Sequence, residues 1–210
     1  MACEALSDKD MSPDQQLRSN YVGMIQQENK RLGLLVESVL KSATWDKGDL
    51  KLKKEEFDLH EVIHEVAANI LIQVESKFGK INEQLSAKES VIMADKIHVT
   101  NLIYNLLDNA NKYSPTTPEI TLQTENIKTG VLFTVTDKGQ GIKRENLIKI
   151  FEKFYRIPTG NVHDVKGFGL GLNYVKAIVN RHGGEITASS TYGKGSTFKV
   201  YLPFQHNELS

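Results

Sequence analysis

The run Asn101 to Ser114, NLIYNLLDNANKYS, constrains this chain more than any other, because it asks one helix to bury a face and display amides at once. Leu102, Ile103, Leu106, Leu107 and Ala110 recur at helical spacing, so this side belongs in a core. Asn105 and Asn109 stand four residues apart and share the other face, one turn above the other, and Lys112 and Tyr113 continue it. Amide oxygens are hard ligands suited to Mg2+, which is usually shared with substrate phosphates, and a nearby lysine can neutralise a phosphate charge. A solvated polar face would show the same residues, so the helix alone leaves both readings open.

Two glycine-rich segments follow. Val131 to Thr136 is a β-branched and apolar run that reads as a strand, and Asp137-Lys-Gly-Gln-Gly-Ile142 stands at its end. A carboxylate there can accept from an exocyclic amine, while Gly139 and Gly141 let the backbone turn tightly and approach a flat base. Lys166-Gly-Phe-Gly-Leu-Gly-Leu172 then leads into an amphipathic helix to Arg181, closed by Gly183-Gly184. A glycine turn at a helix N-terminus offers unpaired N–H groups and the positive end of the helix dipole to an anion. The turn is not a P-loop, because GxxxxGK[ST] is missing, and no βαβ unit with a downstream ribose acid makes it a Rossmann turn. Singly these are ordinary turn residues. In this order, within about seventy residues, they read as an ATP site.

Asn105-Leu-Leu-Asp-Asn-Ala110, Asp137 to Ile142, Phe151-Glu-Lys-Phe-Tyr-Arg156, Gly167-Phe-Gly-Leu-Gly-Leu172 and Gly193-Lys-Gly-Ser-Thr-Phe198 resemble, in sequence and order, the N, G1, F, G2 and G3 boxes of sensor histidine kinases. The resemblance covers Phe57 to Phe204. It implies that Asn109, with Asn105, holds Mg2+, and that Lys112 and Tyr113 reach phosphate and ribose. Asp137 is then the acceptor for the adenine amine. Gly139, Gly141 and Ile142 shape the base pocket, and Thr197 sits near the base edge. Tyr155 and Arg156 approach the nucleotide, Arg156 at its terminal phosphate, and Lys166, Gly167, Phe168, Gly169, Leu170 and Gly171 close over the phosphates. Ile157 to Lys166, rich in turn formers and without apolar periodicity, reads as a mobile lid that orders around ligand.

Members of the wider superfamily that hydrolyse ATP, the gyrase-like and chaperone-like ones, place a glutamate base where this chain has Asn105. An amide cannot take a proton from water, so the resemblance implies transfer of the phosphoryl group to another acceptor rather than hydrolysis. The implied function is the ATP-binding catalytic domain of a sensor histidine kinase. In the intact protein the γ-phosphoryl passes to a histidine and then to an aspartate on a response-regulator receiver domain. A hydrolysing ATPase of the same superfamily and a non-catalytic nucleotide-sensing or dimerisation module are the alternatives.

The acceptor of such kinases lies in a motif like His-Glu-Leu-Lys-Thr-Pro. The six histidines here, His60, His64, His98, His163, His182 and His206, are not followed by it. Ala2 to Asp8 reads as the last turns of a first dimerisation helix, Asp8 to Asp14 as a hairpin, and Asp14 to Trp45 as the second helix. Ser12 is its N-cap, and Pro13 suits its first turn. Leu17, Tyr21, Met24, Leu32, Leu35 and Val39 come close to a heptad seam, interrupted by Glu28, which suits a homodimer through residues 14–45. Asp46-Lys-Gly-Asp49 breaks this helix. The expected division is thus 1–48, a truncated dimerisation segment without its acceptor histidine, and 49–210, the catalytic domain. A Met joined to mid-helix sequence is expected of an excised piece, unable to phosphorylate itself without a supplied phosphoacceptor helix.

His60-Glu-Val-Ile-His64 matches the zinc-protease signature HExxH, but no third ligand follows at a recognisable spacing. It also falls on a helix, Leu59 to Phe78, whose apolar residues Val62, Ile63, Val66, Ile70 and Val74 form a core face, so it reads as a chance match. Composition narrows the rest. With 26 basic and 26 acidic residues nothing argues for nucleic acid, and the lone Cys3 excludes an internal disulfide framework and fits a reducing compartment. No run approaches the length of a membrane span, so a cytoplasmic segment without membrane contact is expected, its parent open to anchoring in the inner membrane. Strands are expected at Lys80 to Leu85, Val91 to Met93, Glu119 to Thr124, Val131 to Thr136, Glu185 to Ser190 and Ser196 to Leu202, with helices at Leu59 to Phe78, Lys96 to Tyr113 and Leu170 to Arg181. Grouped strands with helices on one face make an α+β fold, a two-layer α/β sandwich, which the resemblance implies to be that of the histidine-kinase/gyrase-type ATPase superfamily, preceded by a helical-hairpin remnant.

Overall fold

A computed structural model describes residues 51–114, 116–157 and 168–204, with Val22 and Ile25 in helical backbone ahead of them. The chain divides into two units, residues 1–50 and 51–210. Apart from those two positions, the helix expected from Asp14 to Trp45 with its dimer seam lies outside the described residues, as do the hairpin before it, Lys166, Gly167 and the lid from Pro158 onward.

The second unit opens with strand β1, Glu55–Asp58, which runs directly into helix α1, Leu59–Glu75. Asp58 makes the transition, its carboxylate accepting from the His60 N–H at 2.8 Å as an N-cap. Leu59, Val62, Ile63, Val66, Ala67, Ile70 and Val74 are buried along one face. The helix stops three residues before the predicted Phe78. Phe78 adopts a φ of 59°, and the Gly79 N–H reaches back to the Val74 carbonyl at 2.9 Å, a left-handed closure of the last turn. Strand β2, Lys80–Leu85, leaves from there.

Strand β3, Val91–Ala94, and helix α2, Lys96–Lys112, form the crossover that a parallel return requires, and β4, Glu119–Ile127, then pairs parallel with β2. Strand β5, Gly130–Asp137, turns back antiparallel on β4. A single-turn helix α3, Arg144–Leu147, and helix α4, Gly171–Arg181, precede the hairpin of β6, Glu185–Thr191, and β7, Gly195–Pro203. The main sheet runs β2-β4-β5-β7-β6, while β1 and β3 pair antiparallel in a separate ribbon. Every strand and helix expected from period and punctuation in this unit is present within a few residues; β1 and α3 are additions.

Alternation along the strands sorts the two faces of the sheet. Ile120 and Leu122 of β4, Phe133 and Val135 of β5, and Phe198 and Val200 of β7 are buried toward α1, α2 and α4. The opposite face carries a row of short polar residues, Asn82, Thr121, Thr136, Thr197 and Ser189, registered across all five strands. This is the two-layer α+β sandwich that the pattern predicts.

One residue of α2 breaks the pattern. Asn111 is 3% exposed on the core side, and its Oδ1 is a buried side-chain atom without a hydrogen-bond partner. An unsatisfied amide oxygen costs on the order of 1–3 kcal/mol, and an apolar replacement of similar volume removes the cost. Asn111→Leu is therefore expected to stabilise the unit by about 1 kcal/mol, read as a higher urea midpoint at unchanged slope; a lower midpoint would count against this account.

Candidate nucleotide-binding site

Strand β5 delivers Asp137 to its end, opposite Ser196 at the start of β7. The residue is 6% exposed. Its Oδ1 accepts from the Gly139 N–H at 2.8 Å and the Ser196 N–H at 3.3 Å, which leaves Oδ2 without a partner among the described residues. Burial pushes its pKa up, and the two backbone hydrogen bonds pull against that shift. The result is a carboxyl fixed in direction, with one oxygen available to an amine.

The following loop is held on both sides. The Gln140 N–H donates to the Tyr113 carbonyl at 3.0 Å, the Gly193 N–H donates to the Gln140 carbonyl at 2.7 Å, and the Ile142 N–H donates to Ser190 Oγ at 2.7 Å. Gly141 has a φ of 66°, and a Cβ there would lie 2.1 Å from the Thr191 carbonyl oxygen, so a side chain is excluded twice over. Ser190 Oγ in turn donates to the Gly195 carbonyl at 2.7 Å. The loop after β5 and the β6–β7 turn are thereby locked together around the base of a pocket.

That pocket encloses about 410 Å3, counting its open mouth. It is lined by Asn109, Tyr113, Asp137, Gln140, Gly141, Ile142, Ile157, Leu172, Ser196 and Phe198. Apolar side chains from four separate segments face an acceptor carboxylate, which is the chemistry of a flat, amine-bearing base. Asn109, Tyr113, Asp137, Gly141 and Ile142 are residues that the sequence motifs select. Gly139 sits just behind them, where a Cβ would meet the Tyr113 carbonyl oxygen at 2.5 Å.

One turn of α2 beyond Asn109, Asn105 faces the glycine turn. Its Nδ2 donates to the Asn101 carbonyl at 2.7 Å, and a Cβ on Gly171 would stand 2.7 Å from its Oδ1. The amide is thus oriented with its oxygen toward the N-terminus of α4, a fitting donor for a hard cation. Leu170, at the N-cap of α4, provides no side-chain cap, so the first-turn N–H groups point toward the same space. The segment Phe151 to Arg156 supports this end. The Phe154 N–H donates to the Gly169 carbonyl at 3.0 Å, and Asn173 Nδ2 donates to the Phe151 carbonyl at 3.0 Å.

The remaining expected residues are placed as follows. Lys112 Nζ pairs with Asp108 Oδ2 at 2.5 Å and is not among the pocket-lining residues. Tyr155 directs its hydroxyl to Asn146 Oδ1 at 2.8 Å, and Arg156 is half-buried. Phe168 is half-buried and Leu170 buried under the glycine turn. Thr197 lies on the outer face of β7, its hydroxyl 3.2 Å from that of Thr136, whereas its neighbours Ser196 and Phe198 face the pocket. Gln140, Leu172 and Ser196 all lie inside the sequence motifs, but which neighbour faces inward depends on register; Ile157, the first residue of the expected lid, has no pocket role in the sequence reading yet lines the pocket.

The HExxH histidines have structural partners. His60 Nε2 lies 2.8 Å from Thr124 Oγ1 of β4, and His64 Nδ1 lies 3.3 Å from Glu83 of β2. Among the described residues no group of three or more His, Cys, Asp or Glu is arranged to hold a metal, nor is any helix long and apolar enough to cross a membrane.

Fold and pocket together define an ATP-binding domain. The family model for histidine kinase-, DNA gyrase B- and HSP90-like ATPases matches residues 94–206, and the chain belongs to that family. Its relatives include sensor proteins. The sensor protein RprX of Bacteroides fragilis (strain YCH46) is 42% identical over 210 residues, covering 99% of this chain and 40% of that protein. Among solved structures, full-length ShkA in complex with AMPPNP matches with a TM-score of 0.77 at 25% identity, over 93% of this chain and 40% of that one. The nucleotide-free catalytic domain of histidine kinase ThkA matches with a TM-score of 0.64 at 25% identity, over 73% of this chain and 99% of that one. The second unit is accordingly an ATP-binding catalytic domain of the sensor-histidine-kinase type, and the chain spans about 40% of the length of RprX.

Because Asp137 is buried with a raised pKa, its folded form favours the proton. Its ionised state therefore costs stability that increases as pH rises through the folded value. Asp137→Asn is expected to weaken adenine-nucleotide binding by at least about 100-fold while leaving the melting temperature at neutral pH equal or higher. Calorimetric titration beside thermal denaturation checks both halves; retained affinity would remove Asp137 from the site.

Proposed function

We propose that the intact protein is a protein-histidine kinase: ATP held in this pocket gives its γ-phosphoryl to a histidine nitrogen, leaving ADP, and the phosphohistidine then serves an aspartate of a response-regulator receiver domain. The observation that carries the reading is Asn105. It stands beside the glycine turn with its oxygen facing the helix N-terminus, where an amide can hold a cation and cannot serve as a base for water. In this reading Asn109 and Asn105 hold Mg2+, which would neutralise phosphate charge, and Asp137 takes the adenine amine. The first turn of α4 receives phosphate oxygens, with Lys112 and Arg156 at the phosphate side and Tyr113 at the ribose. A ThkA structure in complex with the response regulator TrrA, at 23% identity, has the same fold.

The 210 residues contain no His-Glu-Leu-Lys-Thr-Pro-like motif, so in this reading the segment does not phosphorylate itself and needs a supplied phosphoacceptor helix. Residues 1–48 are proposed as a dimerisation segment, acting through residues 14–45, and residues 49–210 as the catalytic domain.

The test combines titration with a non-hydrolysable ATP analogue, with and without Mg2+, and turnover of ATP with and without an added acceptor fragment. One-site binding that Mg2+ tightens and Asn109→Ala loosens by about 10-fold or more, with ADP formed only when acceptor is present, is the expected result. Steady ADP formation in water alone would favour the hydrolysing ATPase, and binding without transfer to any acceptor would favour a nucleotide-sensing module. Asn105→Glu is expected to raise the water-only turnover relative to transfer.

A further inference from the structure

Helices α2 and α4 lie antiparallel and are tied at three places. Gly171 of α4 meets Asn105, the Tyr174 hydroxyl lies 2.9 Å from His98 Nδ1, and His182, just past the C-terminus of α4, meets Asp95 at the head of α2. His182 is 3% exposed. Its Nδ1 lies 2.8 Å from the Ile178 carbonyl oxygen and its Nε2 lies 3.0 Å from the Asp95 backbone nitrogen. A carbonyl can only accept and a backbone N–H can only donate, so the ring is neutral, with its proton on Nδ1. Asp95 is itself a junction. Its Oδ1 accepts from the His98 N–H at 3.1 Å, capping α2, and its Oδ2 accepts from the Lys53 N–H at 2.8 Å, where the chain enters the unit.

We propose that His182 is a positioning residue of the nucleotide site: neutral, it latches the tail of α4 to the head of α2 and keeps the glycine turn seated against Asn105; protonated, it releases that latch and weakens nucleotide binding. A second ring proton would aim an Nε2–H at the Asp95 N–H, replacing a hydrogen bond with two opposed donors and burying a charge. The groups facing the ring are Asp95 and His98 from the head of α2 and Lys54 from the incoming chain. Burial lowers the pKa most. The Ile178 carbonyl and the Asp95 carboxylate oppose that shift, and Lys54 and His98 add to it. With the folded pKa below the unfolded value of about 6.5, the contribution of neutral His182 is complete above that value and is lost as pH falls through the folded one.

This inference rests on the ATP-binding reading, and the experiment separates the two. The affinity for AMP-PNP is measured by calorimetry from about pH 8 to about pH 4.5, on the full chain and on His182→Gln, whose amide oxygen keeps an acceptor for the Asp95 N–H. Titration of the nucleotide phosphates affects both proteins alike, so the difference between the profiles is the readout. The wild-type chain is expected to lose about 10-fold more affinity than His182→Gln across this range. Parallel profiles would overturn the latch while leaving the nucleotide site standing. Absence of binding by the folded wild-type chain at pH 8 would overturn both. Should His182→Gln fail to fold, the ring titration of His182 in the wild-type protein decides by NMR. A midpoint coincident with the loss of affinity supports the latch, and a midpoint outside it refutes the latch.

Discussion

The buried carboxylate of Asp137 is the constraint around which the catalytic unit is arranged. An ionisable oxygen inside an apolar pocket is costly unless fixed donors surround it, and here they come from two different segments, Gly139 of the loop after β5 and Ser196 of β7. The Gly139 donor is local, two residues along the loop, but the Ser196 donor exists only if β5 and β7 pair in the register that sets Asp137 opposite Ser196. The loop also folds back beneath Tyr113, and the β6–β7 turn meets Gln140. Fold and site therefore share one set of hydrogen bonds, and a base-binding pocket exists as soon as the central strands are in register.

Helix α2 carries the second half of the arrangement. Val99, Leu102, Ile103, Leu106, Leu107 and Ala110 fix its rotation in the core, and that rotation alone decides where Asn105 and Asn109 point. Each fully buried Val, Leu or Ile among them contributes roughly 1.5–3 kcal/mol, so the helix cannot turn its amides away without exposing several of them. The rigidity of the polar face is a consequence of apolar packing behind it. Helix α4 is seated in the same way by Tyr174, Val175, Ile178 and Val179, and is held at its ends by the glycine turn and the Asp95 junction.

The parts of the fold legible in the sequence are those with a period long enough to read. Helices α1, α2 and α4 repeat an apolar face over several turns, and the strands alternate. Strand β1 shows no such signal, since Glu55-Glu56-Phe57-Asp58 has a single apolar residue; it is a strand because β3 pairs with it. Helix α3 is one turn long, below any readable period. Within the site, Asp137, Asn109 and Gly141 follow from residue chemistry. Ser196 and Thr197 do not, because adjacent hydroxyls point to opposite faces of a strand and only the register with Thr136 and Asp137 tells which face holds the pocket. Where Lys112 and Tyr155 point is likewise decided by neighbours, Asp108 and Asn146, to which the sequence reading gives no role, Asn146 lying outside every motif.

Several local departures from good geometry lie where α4 begins beside Asn105. Phe154 holds a φ of 61°, unusual for a bulky residue, α4 begins without a side-chain cap, and Asn105 turns its oxygen toward a helix N-terminus rather than into a hydrogen bond within α2. Each is a small cost that ordinary sequence choices, a Gly in the turn or a Ser at the cap, would avoid. An anion with its cation at this point would supply the missing acceptor for the helix N–H groups and the missing partner for the amide oxygen. A ligand present at 100 times its dissociation constant adds about 2.7 kcal/mol of stability, enough to offset several such departures. A bound anion and cation would thus offset these local costs at the point where they arise.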